Sequence, residues 1–249
     1  MDYEIYYKYI ENTNKLFVLA IFKILFHKLK SIIMSKLIPG QLGVFVGRTG
    51  DVVVVPLGKK YIGRSVPTKS TKPRTEKQVA QNDKMKLLYG LCANAQDFFK
   101  ISFAESADKR DDNGYNMCKS YNLIHAIKGE SPNQYLDWGE VIIADGSRAM
   151  PEKVIVEMKP DGFHFSWSED YDLNNGSIYD RAMIFIYCHH ETTRTAFNFS
   201  GAMRKELKDF HPLTSYHKGK KFEVYIAFKD VRSNEVSRSV YGGSFTFDL

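Results

Sequence analysis

The chain is short of cysteine, of long apolar runs and of charge imbalance, and each shortage excludes something. Its three cysteines, Cys92, Cys118 and Cys188, share no C-x-x-C spacing. They build neither a disulfide framework nor a zinc knuckle and read as small buried hydrophobes. No apolar run reaches the roughly 20 residues a membrane span requires. The strongest, Leu16 to Ile33, is interrupted by Lys23, His27, Lys28 and Lys30, so no integral membrane insertion is expected. A secretory signal is also missing, because Asp2, Glu4 and Glu11 outnumber Lys8 and Lys15 and no small-residue cleavage site follows. The default location is then the cytoplasm. Residues 1–33 read as an upstream extension ahead of a start at Met34, where "MSKLIPGQLG" opens into turn chemistry. An amphipathic surface helix over 16–30 is the alternative.

Catalytic and cofactor motifs are equally scarce. "GRTGD" at 47–51 has glycines enough for a phosphate loop but lies between two strand-like runs with no helix start behind it, so a hairpin turn is the better reading. His189, His190 and Glu191 form the single His-rich spot. Adjacent strand residues point to opposite faces, which makes them poor joint metal ligands, and a solvated strand end is expected. Neither G-x-S-x-G nor H-E-x-x-H occurs. The acidic pairs Asp111/Asp112 and Glu169/Asp170 sit in polar breaks. No cofactor and no metal is expected, and the chain reads as non-enzymatic.

What is present is, first, a basic stretch. Residues 58–77, "GKKYIGRSVPTKSTKPRTEK", hold seven of the 35 basic residues and one of the 29 acidic ones, leaving 28 of each elsewhere. The net charge of +6 is therefore concentrated here. Lys59, Lys60, Arg64, Lys69, Lys72 and Arg74 are candidate ligands for a polyanion or for an acidic partner surface. Tyr61 is the one aromatic among them, thin provision for stacking on single strands.

Around that stretch the elements change character. "GVFVG", "VVVVPLG" and "KKYIGRS" predict a three-stranded meander over 42–65, with Pro56 ending the second strand or holding it at an edge. Pro67 and Pro73 make 66–74 an extended connector. Thr75 and Gln78 have capping-box spacing, and Leu88, Leu91, Ala95 and Phe98 predict a helix of about seven turns whose stripe lies on the meander. Met117, Tyr121, Ile124 and Ile127 predict one face of a second helix ending near Gly129, and "VIIA" at 141–144 a further strand. Beyond "DGSRAMP", six strand-length runs from "KVIVEM" to "SVYGGSFTF" carry no helical period. They read as a fibronectin type III-like β-sandwich, with Trp167 and Tyr225 as its core aromatics. The expected architecture is α+β with two domains: a β-meander packed with two α-helices over 34–146, and the sandwich over 151–249.

Several strings carry a resemblance. "GRSVPTKSTKPRTEKQ", "GYNMCKSYNLIHAIKG", "SGAMR" and "YIAF" followed by "EVSRSVYGG" together resemble an uncharacterised family common in Bacteroidota, from about Met34 to Tyr241. Its members begin near the equivalent of Met34, and its function is unknown. The meander, connector and "PRT..Q" helix start are also similar to small phage-associated proteins with an immunoglobulin-like tail. Asn82 and Met85 depart from that pattern, standing where a basic and an aromatic residue are common. The resemblance and the scaffold imply a structural or interaction protein with a protein partner or self-assembly, in a phage-like or surface setting. The alternative is a nucleic-acid-binding module using the connector.

Overall fold

The computed structural model describes residues 33–38, 44–57, 60–68, 71–169, 175–190, 195–233 and 235–248. Within them it is an α+β protein with four α-helices, and every strand pair of its sheets is antiparallel. The chain divides into two compact units between Lys72 and Pro73.

The first unit contains β1 (Ile33–Ile38), β2 (Val44–Thr49), β3 (Val52–Leu57) and β4 (Lys60–Ser65), paired in that order. The meander is present, with a leading strand that its mixed sequence "IMSKLI" does not advertise. Gly50 and Asp51 turn between β2 and β3, Gly50 at φ 59°, which favours glycine. Pro56 lies inside β3 but beyond Val54, where pairing with β2 stops, so its missing N–H breaks no bond to that neighbour.

The second unit opens with the expected capping box. The Gln78 N–H donates to Thr75 Oγ1 at 3.3 Å, and the Thr75 N–H donates to Gln78 Oε1 at 3.1 Å. The single long helix is, however, three: α1 (Glu76–Cys92), α2 (Gln96–Ser102) and α3 (Ala104–Asp108). A straight helix offers one stripe, whereas the adjacent Phe98 and Phe99 are both fully buried, their rings edge-to-face at 5.7 Å. Helix α2, set off from α1 by the break at Ala93–Ala95, buries both rings in the core. Helix α4 (Gly114–His125) begins where a Cβ on Gly114 would stand 2.3 Å from the Phe99 carbonyl oxygen, so the close approach to α2 requires glycine.

Two sheets follow. One has the order β10 (Ala196–Asn198), β9 (Arg181–Cys188), β12 (Lys221–Lys229), β13 (Val240–Thr246). The other has the order β11 (Lys208–Pro212), β8 (Gly162–Trp167), β7 (Val154–Lys159). Strand β11 escaped the sequence reading because it alternates exposed and half-buried positions and ends in Pro212, the marks of an edge strand. Between β4 and β7 lies a short ribbon of β5 (Ile127–Lys128) and β6 (Tyr135–Leu136).

Strands β9 and β12 are buried on both faces. Ile184, Ile186, Val224, Ile226 and Phe228 pack against Phe163, Phe165 and Trp167 of the three-stranded sheet. The alternate residues Met183, Phe185, Tyr225 and Ala227 share a second core with Leu88, Leu91, Phe98, Phe99 and Cys118 of the helices. The helices expected to cover the meander thus cover the four-stranded sheet, and the boundary expected at 146–151 falls inside this unit. The physical reason is visible in "AMIFIYC" and "FEVYIAF": uninterrupted apolar strands need cover on both sides.

Three side-chain expectations change with this packing. Trp167 lies between the two sheets, but Tyr225 points to the helix side, where its hydroxyl donates to the Trp138 carbonyl at 2.8 Å. Ile124 is 70% exposed, because α4 turns Cys118 and Asn122 inward instead. Residues 141–144 are buried without being a strand; side chains of Asn122, Ser102 and Ser239 serve their backbone groups in place of a ladder. All three cysteines are buried, as expected.

Candidate functional site

Sequence reasoning pointed to six cations, and the fold separates them. Lys60 and Arg64 are exposed on β4, on the same side of the strand. Arg48, not singled out from the sequence, joins them, since Arg48 and Arg64 both pair with Val53 from opposite sides. Register could not reveal this before strand pairing was known. Lys72 ends the first unit, while Arg74 belongs to the second, one residue before the cap of α1. Lys59 and Lys69 lie outside the described residues.

The same sheet carries the more unusual feature. Among its described residues none is buried, yet Phe45 is 54% exposed, Val52 47%, Tyr61 44% and Ile62 43%. Both core clusters consist entirely of residues from Leu88 onward. A sheet ordinarily buries one apolar face against another layer; among the described residues of this sheet no buried apolar side chain is found.

A second cluster was missed because its members are distant in sequence. Glu223 on β12 is fully buried on the helix side of the sheet. Its carboxylate lies 2.8 Å from His189 Nε2, accepts from the Tyr241 hydroxyl at 2.5 Å and the Ser244 hydroxyl at 3.1 Å, and stands 3.2 Å from Lys221 Nζ. Burial would raise its pKa, but the contacts from His189, Tyr241 and Lys221 outweigh that and hold it below the usual carboxylate value. His189 is therefore no merely solvated strand end. Trp138 stacks on Tyr187 at 4.7 Å and meets the His189 ring edge at 4.9 Å, closing over the cluster. Glu191 lies outside the described residues, and among those described no three His, Cys, Asp or Glu residues are grouped to hold a metal.

Asp112 also has a structural use: its Oδ1 accepts from the Asn113 N–H at 2.8 Å and from the Asn116 amide at 3.0 Å, beside the cap of α4. Asp170 is outside the described residues. Among these residues, no helix is long and apolar enough to cross a membrane.

The class defined by these features is a β-rich α+β protein: an N-terminal sheet with exposed apolar residues, followed by a helix-covered pair of stacked sheets. Within that class, the chain belongs to the family of unknown function DUF6266, whose model matches residues 44–243, from the start of β2 into β13. No curated protein and no solved structure matches it.

Proposed function

We propose that the protein is a non-enzymatic structural or interaction protein, in which a fibronectin type III-like body carries an N-terminal sheet that docks on a protein partner. The observation that carries the reading is the exposed apolar sheet, since Phe45, Val52, Tyr61 and Ile62 gain nothing while facing water. The body reading is supported by the four-strand and three-strand orders and by Trp167 in the core between them. The likeness of the connector strings to small phage-associated proteins makes a phage-like or surface assembly the favoured setting.

The test is chemical cross-linking of the full chain in its host cell, read by mass spectrometry. Cross-links from Lys60 and Lys72 to another polypeptide are expected. Cross-links confined within single chains, together with turnover of a small metabolite, would overturn the proposal.

A second reading, salt-dependent nucleic-acid binding, draws on the shared face of Arg48, Lys60 and Arg64. It requires duplex binding that weakens steeply with salt, with a slope that flattens when Arg48 and Arg64 become glutamine. Absence of binding at low salt ends it.

A further inference from the structure

In the three-stranded sheet, Phe163, Phe165 and Trp167 of β8 turn inward to the core, and the residues alternating with them turn outward. Strands β7 and β11 alternate exposed positions in the same way. Their registers set two adjoining outward rows across the sheet. Glu157, His164 and Phe210 stand side by side in one, and Ile155, Ser166 and Lys208 in the next. Neighbours in such a row are about 5 Å apart, close to the width of one sugar ring.

A groove of about 630 Å³ lies over these rows, a size suited to a small-molecule ligand. Glu157, His164, Ser166, Lys208 and Phe210 line it from the sheet, and Ala202 and Glu206 from the loop ahead of β11. That loop is tied down at several points. The Ala202 N–H donates to Asp209 Oδ2 at 2.9 Å, the Arg204 N–H to the Asp180 carbonyl at 2.8 Å, and the Trp167 indole N–H to the Arg204 carbonyl at 2.7 Å. A Cβ on Gly201 would stand 2.1 Å from Asp209 Oδ2, so the loop lies against β11 as closely as glycine permits. The groove is therefore preformed.

Its lining suits a neutral polar ligand with an apolar face. Phe210 is 44% exposed, its ring 4.8 Å from that of His164. His164 Nε2 lies 2.9 Å from Asp161 Oδ1. A carboxylate only accepts, so Nε2 carries the proton of the neutral ring and Nδ1 is its acceptor. The charges balance: Glu157 Oε2 lies 3.3 Å from Lys159 Nζ, and Asp209 is taken up by backbone N–H groups. Glu206 and Lys208 are left, one of each sign, so a polyanion or a polycation meets no net field here. Ser166, Glu206 and Lys208 make no side-chain hydrogen bond or ion pair among the described residues.

We propose that this groove binds a neutral saccharide of one or two pyranose rings, the C–H face of one ring resting on Phe210 and the hydroxyls shared among Glu157, His164, Ser166, Glu206 and Lys208. The electron-rich face of a phenyl ring attracts the polarised C–H groups of a sugar. The carboxylates and the imidazole accept from hydroxyls, the ammonium donates to them, and the serine does both. A peptide strand is served less well, because it would add to a sheet edge, where backbone groups are free, and the groove lies over a sheet face.

The groove belongs wholly to the second unit, so the proposal does not depend on the docking role of the N-terminal sheet. Saturation-transfer difference NMR on the full chain, with neutral disaccharides and trisaccharides of the gluco, galacto, manno and xylo series, should show contact through the ring C–H protons of at least one of them. Titration calorimetry with that sugar gives the dissociation constant. Phe210→Ala should raise it at least about tenfold, and Ser166→Trp, which fills the floor of the groove, should abolish binding. Both positions are exposed, so far-UV circular dichroism should be unchanged in each variant. Tyr135→Ala, at an exposed tyrosine of β6 outside the groove, should leave the constant unaltered. Binding by none of these sugars, or binding that survives both Phe210→Ala and Ser166→Trp, would overturn the proposal. So would binding confined to sulfated saccharides or to a mixed peptide library run in parallel.

Discussion

The amide of Asn122 holds both backbone polar groups of Ile142, accepting from its N–H at 3.0 Å and donating to its carbonyl at 2.9 Å. One buried side chain on α4 thereby does for an irregular segment what a neighbouring strand does in a ladder. Asn122→Leu should orphan two buried backbone groups, each costing about 1–3 kcal/mol. A loss of several kcal/mol in denaturant unfolding is expected, and a loss under 1 kcal/mol would show that the segment rearranges freely.

Arg148 plays a comparable part with charge. Its guanidinium lies 2.9 Å from the fully buried Asp180 carboxylate and 3.1 Å from Asp230, tying the segment after the helices to two loops of the stacked sheets. Arg148→Met strands a buried carboxylate, for which a cost of about 3–5 kcal/mol is expected. Adding Asp180→Asn should restore part of that stability, an outcome a purely steric effect of methionine does not produce.

Glu223 makes stability depend on acid. Its folded pKa lies below its unfolded value, so its contribution is fully present above the ordinary glutamate pKa of roughly 4.3 and is lost as pH falls through the lower folded value. Glu223→Gln should therefore be less stable than the parent at neutral pH. The gap should close as the medium is acidified below about pH 4. Thermal unfolding of both proteins across that range measures it; a gap constant with pH would assign the effect to packing.

The division between Lys72 and Pro73 predicts a proteolytic pattern. Residues 71–75 are exposed, and trypsin cannot use Lys72 because proline follows it, which leaves the bond after Arg74. Limited digestion should yield a resistant fragment beginning at Thr75. Since both cores lie wholly beyond that point, the fragment should unfold at nearly the temperature of the full chain. Cleavage first within α4 or β9 would contradict this.

Local chemistry made much of the fold legible. The Thr75 capping box, the turn at Gly50 and Asp51, and the strand runs of the second unit follow from interactions within a few residues, which sequence displays directly. "AMIFIYC" displayed even its two-sided burial, as a run without polar alternation. What it could not display was the identity of the cover. Helices α1 and α2 show their apolar residues at threes and fours whichever sheet receives them, and only the tertiary structure assigns Leu88, Leu91 and Phe98 to the core shared with β9 and β12. The Glu223 cluster and the Arg48 and Arg64 face were hidden for the same reason: their members meet across strand pairings, and a pairing is a choice among distant segments made by the packing of the whole.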